Sequence, residues 1–133
     1  MSDTPQKKKL ILLVDDDQFL LNMYSLKFRN SGFEIEIAAS ALAGLQKLRD
    51  GMQPDVLLCD LVMPSMDGIE FIKRVKEEQL SPAAAIIVLT NQGQSTEIER
   101  AQALGVDGYI VKASSIPSEV VNEVKTILAK KTK

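Results

Sequence analysis

The sequence predicts an α/β fold, a doubly wound five-stranded parallel sheet with five helices, and three observations carry that prediction. Continuous apolar runs recur at 10–14, 56–59 and 83–90, and runs that are apolar throughout read as strands covered on both faces. The segments between strands carry apolar residues at helical spacing, in units of about 20 to 25 residues. Breaker residues mark the joins, as at Asn30-Ser31-Gly32, Asp50-Gly51, Asp67-Gly68, Pro82 and Gly105. Strands alternating with helices in this way are joined by right-handed crossovers, which place helices on both faces of one parallel sheet.

Taken in order, residues 1–8 hold Pro5 and the start of a lysine run without periodicity, so they are expected to be a disordered tail. The domain is expected over 9–131, with 132–133 as a short C-terminal tail. The first strand, 10–14, ends in Asp15, Asp16 and Asp17. Phe19, Leu20, Met23, Tyr24 and Leu26 then mark a helix closed by Asn30-Ser31-Gly32. Residues 33–38 alternate, with Phe33, Ile35 and Ile37 against Glu34 and Glu36, which suits a strand near a sheet edge. Ser40 caps a second helix with Leu42, Leu45 and Leu48 as its buried stripe, ended by Asp50-Gly51.

The third strand, 56–59, delivers Asp60 at its end, and 61–68 turns with Pro64 and Asp67-Gly68 as breakers. Ile69, Ile72 and Val75 mark the buried side of a third helix, with Lys73, Arg74 and residues 76–78 on its wet side. Pro82 separates it from the fourth strand, 83–90, which runs into Thr90-Asn91-Gln92-Gly93. The fourth helix, roughly 95–104, turns Ile98, Ala101 and Leu104 inward but is weakly apolar, which predicts shallow packing. Gly105 ends it. Residues 106–111 form a fifth strand closed by Lys112. Pro117 opens a last helix buried through Val120, Val121, Val124, Ile127 and Leu128, while Lys130, Lys131 and Lys133 complement its dipole.

Composition narrows the function. With 133 residues, 45% of them hydrophobic and a net charge of -2, the chain has material for one real core and no general attraction to nucleic acid. No apolar run approaches the roughly 18 residues of a membrane span, and the polar start lacks a secretory apolar region, so a cytoplasmic location is the default expectation. Histidine is absent, which excludes Ser-His-Asp and Cys-His catalysis. Cys59, inside an apolar strand, reads as an inert core thiol.

A parallel sheet gathers its strand-end loops on one edge, so Asp15, Asp16, Asp60, Thr90 and Lys112 become neighbours. Three carboxylates brought together repel one another unless a proton or cation compensates. Oxygen ligands without histidine or cysteine point to a hard ion, Mg²⁺ (or Mn²⁺). Such an ion favours phosphoryl chemistry, for which Lys112 and Thr90 supply a cation and a hydroxyl, and Asp60 is placed to act as the nucleophile.

With VDD after the first strand, D-x-x-M-P-x-M-D-G after the third, LT after the fourth and GYIVK at the fifth, all in order, residues 9–129 resemble the receiver domain of bacterial two-component response regulators, in its single-domain chemotaxis form. The resemblance implies a flavodoxin-like sheet of order 2-1-3-4-5. It implies that Asp60 takes a phosphoryl group from phosphohistidine on a sensor histidine kinase or histidine phosphotransfer protein. Asp16, Asp60 and the backbone carbonyl of Val62 would ligate Mg²⁺, Asp15 would act mainly through a metal-bound water, and Lys112 would pair with Asp60 when the site is empty. Thr90 would move to the phosphoryl group and Tyr109 would turn inward behind it, the family's switch. Val62, Asn91 and Gln92 fill positions that tune the lifetime of the phosphoryl group. Asn91 is larger than the small residue usual there, and Ala113 stands where relatives usually have proline. Asp17 reads only as helix-start charge.

The expected output is binding rather than turnover, through the surface of the fourth helix, fifth strand and fifth helix, to a downstream target protein. The chain is expected to be a monomer or a phosphorylation-dependent dimer, without direct contact to nucleic acid or membrane. Two other classes stand beside this one: a receiver-like binding module that no longer switches, and a Mg²⁺-dependent phosphohydrolase, for which no cap segment or second base is visible. A flavin-binding relative of the fold would need glycines where the loop after the first strand is acidic.

Overall fold

A computed structural model describes residues 8–91, 96–112 and 116–131. Five strands, β1 (Leu10–Val14), β2 (Glu34–Ala38), β3 (Val56–Asp60), β4 (Ala85–Thr90) and β5 (Gly108–Val111), form one parallel sheet of order β2-β1-β3-β4-β5. Between and after them lie α1 (Gln18–Asn30), α2 (Ala41–Arg49), α3 (Gly68–Glu77), α4 (Thr96–Ala103) and α5 (Pro117–Lys131). This is the predicted architecture. Of the tail expected at 1–8 only Lys8 is described, and residues 1–7, 92–95, 113–115 and 132–133 lie outside the described residues.

Side chains alternate across the pleat, so each central strand feeds two cores. Leu12, Val14, Leu57, Cys59, Ile86 and Val88 face α2, α3 and α4, where Leu45, Leu48, Phe71, Ile72 and Val75 meet them. Ile11, Leu13, Val56, Leu58, Ile87 and Leu89 face α1 and α5, where Leu21, Tyr24, Phe28, Val120, Val121 and Val124 close over them. Both faces being covered is why these strands are apolar without alternation, and why β2, at the edge with Glu34 and Glu36 exposed, is not.

The structure corrects the helix phasing in two places. In α1 the buried residues are Leu21, Tyr24, Ser25 and Phe28, while Phe19 and Leu26 are 73% and 58% exposed. In α2 they are Ala41, Gly44, Leu45 and Leu48, and Leu42 points outward at 55% exposure. In each helix an apolar residue taken for core was offset from the i, i+3, i+4, i+7 stripe that meets the sheet. Two strands also start later than their apolar runs, β4 at Ala85 and β5 at Gly108. In α4 only Ile98 and Ala101 are buried, in keeping with shallow packing. Among the described residues, no buried side-chain nitrogen or oxygen lacks a hydrogen-bond partner.

Candidate functional site

Register sets the site. Val14 lies opposite Cys59, Asp60 opposite Leu89 and Thr90 opposite Val111, so Asp15, Asp60, Thr90 and Lys112 come to the same C-terminal rim. Asp15 follows β1 directly and is 1% exposed, held by its N–H donating to Ala38 O at 3.1 Å. Its Oδ1 accepts from the Asp17 N–H at 2.9 Å, and its Oδ2 from Lys112 Nζ at 3.2 Å. Asp60 closes β3 at 5% exposure, with Oδ1 3.7 Å from the same Nζ and 3.5 Å from the Val62 N–H. Asp16 is exposed, yet Asp15, Asp16 and Asp60 each offer a carboxylate oxygen within 4.8 Å of the others.

Lys112 therefore sits between two carboxylates, and the closer is Asp15. The expected pairing with Asp60 is the longer of the two contacts. One ammonium does not offset the burial of Asp60. Removal from water pushes its carboxyl up to about 6, against the pull of Lys112, with the Asp15 charge adding to the rise and the Val62 and Leu61 N–H groups opposing it. A divalent cation would offset what Lys112 leaves over. The donor set fits one: three carboxylates, two of them buried, with oxygen ligands alone.

Thr90 ends β4 and is buried. Tyr109, opposite Val88 on β5, is 39% exposed and so is turned partly out in this conformation. Val62 is 71% exposed and Asn91 exposed, on the rim. Gln92 and Ala113, and with Ala113 its bond to Lys112, lie outside the described residues. Asp17 caps α1, its Oδ1 accepting from the N–H groups of Phe19 at 3.0 Å and Leu20 at 3.2 Å, as a helix-start residue should. Cys59 is fully buried, and burial together with the Asp60 and Asp15 charges raises its thiol far above the usual range, so it stays protonated.

Comparison with known proteins gives the same outline. Residues 11–125 match the response regulator receiver domain family. The chain is similar to the chemotaxis protein CheY of Halobacterium salinarum, 35% identical over 122 residues, covering 90% of this chain and 97% of that protein. It is also 36% identical over 124 residues to a protein-glutamate methylesterase/protein-glutamine glutaminase of Bacillus licheniformis, covering 91% of this chain but 34% of that protein. The chain likewise spans about half of several transcriptional regulators, such as PhoP of Bacillus subtilis at 48% of its length. Among solved structures, a CheY-like receiver domain protein from Methanospirillum hungatei superposes with a TM-score of 0.85 at 28% identity, over 95% of this chain and 98% of that one. Vibrio cholerae CheY4 does so at 0.83 and 27%, over 91% and 99%. Among the described residues, no helix is long and apolar enough to cross a membrane.

Proposed function

This chain belongs to the response regulator receiver family of two-component signalling, and from that premise we propose that it is a switch phosphorylated on Asp60. The observation that carries the reading is the grouping of three carboxylates, two of which share one buried ammonium, Lys112 Nζ lying 3.2 Å from Asp15 and 3.7 Å from Asp60. An Asp60 oxygen attacks the phosphorus of a phosphohistidine on a sensor histidine kinase or histidine phosphotransfer protein. The new P–O bond forms as the P–N bond breaks, and the electron pair leaves on the imidazole nitrogen, which takes up a proton. Water later attacks the same phosphorus, releasing inorganic phosphate and restoring the carboxylate.

Lys112 faces the acceptor and offers its ammonium to a phosphoryl oxygen, leaving Asp15 to do so. Asp15, Asp16, Asp60 and the Val62 carbonyl would hold Mg²⁺ (or Mn²⁺), which supplies charge neutralisation at the phosphoryl oxygens. Thr90, at the end of β4, bonds the phosphoryl group, and Tyr109 moves from its half-exposed position to follow it. The readout is binding of a downstream protein to the face of α4, β5 and α5 in the cytoplasm, by a monomer or a phosphorylation-dependent dimer, and not catalytic turnover. Asn91 and Gln92, just past Thr90, and Val62 tune how long the phosphoryl group lasts.

Incubation with Mg²⁺ and acetyl phosphate, followed by intact mass measurement, tests this. One phosphoryl group on the parent and none on Asp60→Asn is expected. No adduct on the parent would favour a binding module that does not switch, and many turnovers on phosphate esters would favour a phosphohydrolase.

A further inference from the structure

Gly68 is the first residue of α3, and its backbone is outside the left-handed region, so conformational freedom does not explain a glycine there. Close approach does. A β-carbon on Gly68 would lie 2.2 Å from the Asp60 carbonyl oxygen, 2.7 Å from Leu61 Cα and 3.0 Å from the Asp60 carbonyl carbon. All three are main-chain atoms of Asp60 and its neighbour, so no rotamer change makes room. The Gly68 N–H donates to Leu61 O at 2.8 Å, closing the loop 61–68 at its base. Asp67 caps α3 by accepting from the Glu70 N–H at 2.9 Å, and buried Met63 anchors the loop to the core.

We propose that Gly68 is a positioning residue for phosphoryl transfer to Asp60: the start of α3, pressed against the main chain at Asp60, fixes where its carboxylate stands relative to Asp15 and Lys112. This rests on the reading of Asp60 as the acceptor. The carboxylate hangs from that main chain by one methylene, so a displaced carbonyl carries it along. A side chain at residue 68 must open a gap of about 1 Å, the scale at which misplacement of a reacting group costs about 10²-fold.

Gly44 provides the contrast. It lies inside α2, and a β-carbon there would meet the side chains of Val14 at 3.0 Å and Phe71 at 3.2 Å, not main chain. Gly44→Ala therefore strains packing without pushing on the backbone of the acceptor.

The test compares the parent, Gly68→Ala and Gly44→Ala with Mg²⁺ and acetyl phosphate by timed intact mass measurement. In Gly68→Ala the maximal rate should fall roughly 10- to 100-fold, with the acetyl phosphate concentration for half-maximal rate little changed, and Gly44→Ala should stay near the parent. In metal-free samples the amide NMR signals of Val62 and Lys112 should move in Gly68→Ala and hold in Gly44→Ala. A parent phosphorylated on Asp60 alongside an equally fast Gly68→Ala would overturn the inference alone, as would unmoved amide signals. A parent that takes no phosphoryl group overturns the acceptor reading and this inference with it. Should Gly68→Ala fail to fold, Asp67→Ala, which loosens the same helix start without adding atoms, should slow phosphorylation several-fold, and a rate equal to the parent's would overturn the proposal.

Discussion

The two rims of the sheet use the same residue types to opposite effect. At the N-terminal rim Asp55 and Asp107 each accept the N–H of a strand at 2.8 Å, Asp55 from Leu10 and Asp107 from Ile86. The second oxygen of Asp107 adds Lys131 Nζ at 3.3 Å. Those carboxylates close strand starts. At the C-terminal rim Asp15, Asp16 and Asp60 are gathered within reach of one another, and Lys112 is shared between two of them. Crowded carboxylates with one buried ammonium leave negative charge out of water, and Asp60 responds by holding its proton to about pH 6. One rim is satisfied and serves stability, whereas the other is left short of positive charge and is ready for a ligand.

Substitutions at the two rims should separate these roles, and the largest effect is expected at Lys112. Lys112→Met leaves buried carboxylates without their cation, which should destabilise the metal-free protein by about 3 to 5 kcal/mol above pH 7 and by less at pH 5, where Asp60 carries a proton. Urea unfolding at both pH values checks it, and equal losses would remove the electrostatic cause.

Next comes Asp60 itself. Its carboxyl in the fold is raised from the ordinary 3.8 to about 6, so the folded state is favoured below the ordinary value and that advantage is lost as pH rises through 6. Two units amount to at most about 3 kcal/mol. Asp60→Asn should therefore stabilise the metal-free protein by about 1 to 3 kcal/mol at pH 8, with the gain fading below pH 4. A loss of stability at pH 8 would contradict the strained-rim reading.

At the satisfied rim the sign reverses. Asp107→Ala leaves the Ile86 N–H without its carboxylate, at a cost of about 1 to 3 kcal/mol, while phosphorylation by acetyl phosphate should run at the parent rate. The smallest effect is expected for Lys131→Ala, below about 1 kcal/mol, because that lysine is a third exposed and Asp107 keeps its backbone donor. A larger loss for Lys131 than for Asp107 in thermal melts would invert the hierarchy of the N-terminal rim.

Much of this was legible in the chain. Apolar runs long enough for buried strands, each closed by Asp15, Asp60, Thr90 or Lys112, gave the sheet and its rim, because period and punctuation are local properties of the backbone. Helix phase was less legible: Phe19, Leu26 and Leu42 are apolar and adjacent to the stripe, and only packing against the sheet decided that Leu21, Phe28 and Ala41 would be inside. Gly68 read as a breaker from sequence, yet in the structure it is the place where a helix start touches the backbone of Asp60. Its sequence signals are that it closes the D-x-x-M-P-x-M-D-G motif and that a glycine follows the Asp67 cap, where a helix former would otherwise be favoured.

The sequence by itself determined the order of elements, the two-faced cores and the arrival of acidic, hydroxyl and ammonium groups at strand ends. Tertiary structure decided how those groups share charge, with Lys112 drawn first to Asp15, 97 positions away, and Asp60 left raised beside it. The reason is one of range. Backbone geometry repeats over a few residues and can be read from them, whereas distances of 3 to 4 Å between chain-distant groups depend on strand register and on how far each side chain is taken out of water.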